Sequence, residues 1–95
     1  MSNYELIYIV NPEISDNDLS TVQAKINSII AKIGGTVVNA NNWGRKKLAY
    51  PIKRFGEGNY FFTQIEMKST ATKELEANLK LANEVLRHLL IKAGA

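Results

Sequence analysis

The stretch Leu79-Lys80-Leu81-Ala82-Asn83-Glu84-Val85-Leu86-Arg87-His88-Leu89-Leu90-Ile91-Lys92 decides the fold, because it reads in two ways. Leu75, Leu79 and Ala82 form an apolar stripe at helical spacing, and Leu86, Leu89 and Leu90 continue it. Periodicity alone therefore permits one helix from residue 71 to residue 92. Against that, Asn83 tolerates the left-handed conformation that stops a helix, and Val85 to Ile91 is rich enough in branched apolar residues to serve as a strand. These residues by themselves leave both readings open.

Upstream of this stretch, Ser69-Thr70 is a cap candidate. Before it, Gly58 to Met67 reads as a strand, apolar on both faces in its first half. Lys53 to Gly58, with two glycines, predicts a hairpin connection longer than a two-residue turn. Thr36-Val37-Val38 begins an extended segment that runs through Asn42 to Ile52, and so long a strand is expected to bulge near Asn41-Asn42. Leu19, Val22, Ile26, Ile29, Ile30 and Ile33 recur at threes and fours and predict an amphipathic helix. Ser15 to Asp18 has capping-box-like spacing at its start, and Gly34-Gly35 ends it. Tyr4 to Val10, stopped by Asn11-Pro12, is a strand with two apolar faces and so a central one.

Divided at Asn83, the order becomes βαββαβ, a recognised unit of about this length. Right-handed crossovers then place the first and third strands in the centre and the second and fourth at the edges. Both helices cover one face and leave the other open. Pro51 has no N–H to give a ladder, which independently assigns the second strand to an edge.

The 95 residues, 45% apolar and 22% charged, suit one soluble domain over 1–95, too short for two cores. A formal charge of +3 is mild, so any nucleic-acid reading must rest on where the charges cluster. Without cysteine there is no disulfide framework, thiolate nucleophile or Cys-based zinc site, and neither cofactor nor metal is expected. The N-terminus lacks a signal-peptide pattern, and no apolar run approaches the ~18 residues that span a bilayer. A cytoplasmic protein with no membrane partner and no small-molecule substrate is expected.

The charge does cluster. Five of the twelve Lys and Arg residues lie between Arg45 and Arg54 with no acid among them, and four of the seven Phe and Tyr residues follow by Phe62. Cations interleaved with rings suit phosphates and bases respectively. The competing reading is an edge strand guarded by lysines against aggregation. Strict alternation would put Trp43, Arg45, Lys47 and Ala49 on one side and Lys46, Leu48, Tyr50 and Ile52 on the other.

Trp43-Gly44-Arg45-Lys46-Lys47-Leu48-Ala49-Tyr50-Pro51-Ile52 resembles the signature of the bacterial small-subunit ribosomal protein six family: Gly, basic residues, then Leu-Ala-Tyr-Pro-Ile. Tyr4-Glu5, Asn11-Pro12, Tyr60, Glu66, Val85 and Arg87 also fall where family positions fall, so the resemblance covers nearly the whole chain. It implies an α+β, ferredoxin-like fold, a four-stranded antiparallel sheet with two helices on one face, and so makes Val85 to Ile91 a strand. It also implies a structural, non-enzymatic ribosomal protein. Such a protein binds the central domain of 16S ribosomal RNA together with ribosomal protein eighteen, within the small subunit. The chain has Ser2-Asn3 where many members begin Met-Arg-Arg or Met-Arg-His, and it ends at Ala95 without the acidic tail of some members.

Carried over by position, Tyr4, Arg45, Lys46, Lys47 and Arg87 are the candidate RNA contacts. Trp43, Leu48, Tyr50 and Ile52 are the candidate docking surface for the partner protein. His88, the single histidine, reads as a packing or surface residue. An acylphosphatase-like enzyme would need an arginine after the first strand, where Asn11-Pro12-Glu13-Ile14-Ser15 supplies none. The alternative is a single-strand RNA module of the RNA-recognition-motif type, with Tyr8, Tyr60 and Phe62 as its platform. Gly58-Asn59-Tyr60-Phe61 lacks that motif's basic-Gly-aromatic-Gly-aromatic signature.

Overall fold

The ambiguous stretch divides. In the computed structural model, which describes residues 1–93, the helix ends at Leu81 and Val85–Lys92 is a strand. The stop differs from the expected one. Ala82, not Asn83, leaves the helix, and it does so in an extended conformation (φ −80°, ψ 106°). Asn83 has no positive φ. A turn then forms, with the Val85 N–H donating to the Ala82 carbonyl at 3.1 Å.

The elements are β1 (Ser2–Val10), α1 (Asp16–Lys32), β2 (Thr36–Ile52), β3 (Phe55–Met67), a 3-10 turn (Ser69–Ala71) leading into α2 (Thr72–Leu81), and β4 (Val85–Lys92). Their order is βαββαβ, and the antiparallel sheet runs β2-β3-β1-β4. β2 is an edge strand, as Pro51 requires, and the first and third strands are central. Residues 94–95, where some members of the resembling family carry a tail, lie outside the described residues.

Period-two alternation in β1 and β3 sends Tyr4, Leu6, Tyr8 and Val10, with Phe61, Ile65 and Met67, into one core. Leu19, Val22, Ile26 and Ile30 of α1, and Leu75 and Leu79 of α2, meet them there. The rings of Tyr8 and Phe61, cross-strand partners, stack with centroids 5.1 Å apart. Phe61 is 1% exposed while its neighbour Phe62 lies on the opposite, open face.

At the start of α1 the Ser15 side chain makes no hydrogen bond to the backbone, so the capping box exists in spacing only. Its hydroxyl donates instead to Asp18 Oδ2 at 3.0 Å. The C-terminal end follows expectation. Gly34 takes φ +89°, its N–H donates to the Ala31 carbonyl, and the Gly35 N–H donates to the Ile30 carbonyl, the Schellman pattern.

The β2–β3 connection is shorter than expected. Lys53 and Arg54 form a two-residue turn, both at positive φ (48° and 67°), and Ile52 pairs directly with Phe55. Gly56, which the sequence assigns to the connection, lies within β3, and Gly58, the expected start of the returning strand, is three residues inside it. Gly58 is required by packing, because a Cβ there would stand 2.4 Å from Ile9 Cγ2.

Candidate nucleic-acid and partner interface

The candidate residues are distributed by three irregularities in β2, where its register against β3 shifts between Val37 and Asn39, Asn42 and Gly44, and Lys47 and Ile52. The second lies beside the expected bulge. Asn42 pairs with Phe61 and Gly44 with Tyr60, so Trp43 is the additional residue. Gly44 sits at φ +85°, and its N–H donates to Asn42 Oδ1 at 2.8 Å.

This bulge overturns the strict alternation expected for the segment. Trp43 shares the open face with Lys46 rather than the side of Arg45 and Lys47. Its ring stacks on Phe62, with centroids 5.0 Å apart and planes 4° apart, and the Lys46 ammonium lies 5.7 Å from the ring. Arg45 and Lys47, paired with Asn59 and Glu57, point to the other side as expected.

The cations differ in what holds them. Arg45 Nη1 donates to Glu57 Oε1 at 2.6 Å, and its Nη2 donates to the Pro12 carbonyl at 2.7 Å. That guanidinium is therefore neutralised within the chain and clips the β1–α1 loop to the β2–β3 hairpin. Among the described residues, Lys46 and Lys47 have no carboxylate oxygen within 4.0 Å. Both are exposed.

Arg87 is also engaged. It projects onto the open face, where its guanidinium donates to the Tyr50 hydroxyl and its central carbon lies 5.8 Å from the Tyr50 ring. Tyr50 reaches it because residues 48–51 stand opposite the single Gly56 and arch away from the ladder. The arch forms part of the wall of a groove of about 380 Å³ on the open face. Leu48, Tyr50 and Ile52 line it, with Ile7, Ile9 and Leu89 from the neighbouring strands. Trp43 does not line it. The apolar open side of β1 was legible in the sequence, but the arch that makes it concave was not.

Two expectations need correction. Tyr4 is 7% exposed and packs in the helix-covered core, so its ring is not on the candidate surface. Tyr8 is 0% exposed, also in the core, and cannot share a platform with Tyr60 and Phe62 across the sheet. Burial pushes the Tyr8 hydroxyl well above its ordinary pKa.

His88 pairs with Tyr8 on the helix side, with Nε2 3.9 Å from Glu76 Oε1. Among the described residues no cluster of three His, Cys, Asp or Glu side chains is arranged to hold a metal. No helix among them is long and apolar enough to cross a membrane.

Comparison with known proteins gives a consistent result. Residues 3–92 match the family model described as Ribosomal protein S6. The small ribosomal subunit protein bS6 of Clostridioides difficile is 37% identical over 93 residues, covering 98% of this chain and 100% of that one. That of Desulforamulus reducens is 32% identical over 94 residues, covering 99% of each. The crystal structure of 30S ribosomal protein S6 from Thermotoga maritima, at 24% identity, superposes with a TM-score of 0.91 over 97% of this chain and 87% of that one. The C-terminal domain of the MgtC protein from Mycobacterium tuberculosis is similar at TM-score 0.62 and 14% identity, a likeness of fold alone.

Proposed function

The chain belongs to the ribosomal protein S6 family, structural and non-enzymatic proteins of the small ribosomal subunit, and from that premise we propose that two neighbouring surfaces tie it into the subunit. The exposed edge β2 binds the central domain of 16S ribosomal RNA. The apolar groove on the open face docks ribosomal protein eighteen. The complex forms in the cytoplasm, where small subunits are assembled.

One observation carries the RNA assignment: Lys46 and Lys47 stand exposed on an edge strand with no carboxylate partner among the described residues. Such ammonium groups are available to replace phosphate counterions, whereas the Arg45 guanidinium already has two acceptors within the chain. Arg45 and Arg87 act as positioning residues. Arg45 holds the hairpin, and Arg87 holds Tyr50 over the groove. Lys46 projects toward the open face and Lys47 away from it, so the pair straddles the edge and suits a backbone read by shape rather than base edges.

The groove suits a protein segment. Its lining is mostly aliphatic, with the Arg87–Tyr50 pair in the wall to orient a polar group. The two roles separate by mutation. Lys46→Ala with Lys47→Ala is expected to weaken retention of a central-domain RNA fragment while leaving binding of the partner protein intact. Leu48→Asp with Leu89→Asp is expected to abolish partner binding first. Both are read by co-purification of the tagged chain with each component. Equal loss of both partners in both variants would sink the division.

A further inference from the structure

We propose that Trp43 is a stacking platform for one unpaired RNA base, with Lys46 taking the phosphate beside it. This rests on the RNA-binding reading above and reassigns Trp43 from the protein-docking surface to the nucleic acid.

Trp43 is 45% exposed although it is the largest apolar side chain in the protein. It is not merely loose on the surface. The near-parallel Phe62 ring, 5.0 Å away, backs it and sets its plane, while the bulge at Gly44 turns it onto the open face. A flat ring held flat already carries the ordering cost that a free side chain meets on binding. Stacking on such a ring is tolerant of sequence, because every base has a π-face.

The neighbours select the occupant. The Lys46 ammonium lies over the ring, 5.7 Å from its centroid, and has no carboxylate within 4.0 Å among the described residues, so it is free to swing from the ring to a phosphate as a base arrives. An apolar side chain from a protein would offer this ammonium no anion. A nucleotide supplies a π-face for the ring and an anion for the ammonium at adjoining positions. Position supports the same assignment, because Leu48, Tyr50 and Ile52 line the apolar groove and Trp43 lies outside it.

Trp43 is the chain's single tryptophan, so 5-fluorotryptophan labelling of this chain alone gives one 19F reporter at the site. The labelled chain is titrated with a central-domain 16S fragment in the presence of the unlabelled partner, while anisotropy of the dye-labelled RNA reports binding independently. The expected result is a shift of the resonance on binding and a loss of about tenfold in RNA affinity for Trp43→Ala. Trp43→Phe should retain most of the affinity, and an abasic nucleotide at one unpaired position should abolish the shift. RNA bound with an unmoved resonance and an unchanged Trp43→Ala affinity would overturn the platform and leave the RNA reading standing. Absence of RNA binding by the wild-type chain would overturn both. Weakened partner binding by Trp43→Ala, with RNA affinity intact, would return the ring to the protein interface.

Discussion

Arg45 and Lys46 are adjacent in sequence yet differ in surroundings, because successive side chains of a strand leave on opposite faces. Arg45 meets Glu57 and the Pro12 carbonyl; Lys46 meets an aromatic ring and solvent. Charge type was legible at both positions, but the distant acid that claims one of them was not, since Glu57 becomes its neighbour only through the register of the hairpin. A second ion pair, Lys25 Nζ to Glu84 Oε1 at 3.1 Å, ties α1 to the turn before β4. The Glu84 carboxyl is held below its ordinary pKa, first by its own backbone N–H and then by Lys25. A depressed folded-state value means the contribution is fully present above the unfolded pKa near 4.5 and is lost as pH falls through the folded value. Lys25→Met is therefore expected to lower stability at pH 7 by at most about 1 kcal/mol, since the pair is largely exposed. The difference from wild type should shrink as urea melts are taken below pH 4.5, and a difference that grew on acidification would contradict the assignment.

At the scale of elements, the helices and strands were legible wherever one period ran without interruption. α1 has its apolar stripe and a Schellman stop at Gly34-Gly35, and β1 its short branched run. Two places were not legible, for different reasons. Between α2 and β4 the leucine spacing satisfies a helix and a strand alike, and the pairing of β4 with β1 decides it. At the hairpin, the two glycines at the end of residues 53–58 suggest a connection longer than the one that forms. Gly58 is there because Ile9 needs the space, and the turn itself falls on Lys53 and Arg54 at positive φ. Non-glycine residues in that region cost roughly 1–2 kcal/mol each. Lys53→Asn with Arg54→Gly fits the geometry of a two-residue hairpin and is expected to raise unfolding free energy by about 1 kcal/mol in urea titration. A loss of stability would mean that the two side chains contribute contacts that outweigh the backbone strain.

Over the whole molecule, the helices cover one face of the sheet and leave the other free, and the two surfaces proposed above lie on that open face and its β2 margin. The mild net charge of +3 matters less than its distribution, with Lys46 and Lys47 on an edge beside a groove lined mostly by aliphatic side chains, in which Arg87 is the one cation. The hydrophobic pattern left residues 85–91 open between helix and strand, and the family resemblance made them a strand; with that granted, Pro51 and crossover handedness agree on the strand order. The candidate site was legible as a segment but not as a surface, because two bulges and an arch in β2 redistribute its side chains between faces. Tyr4, placed among the RNA contacts by its position in the chain, shows the limit, since the phase of β1 buries it. The claim that β2 meets RNA through Lys46 and Lys47 is tested most directly by the salt dependence of affinity for the central-domain fragment. Each phosphate contact removed should reduce the slope of log K against log salt by about 0.7–0.9. The Lys46→Ala, Lys47→Ala variant is expected to bind more weakly with a slope shallower by about 1.4–1.8, whereas Arg45→Ala should leave the slope close to wild type. An unchanged slope in the double lysine variant, or a loss confined to Arg45→Ala, would contradict the account.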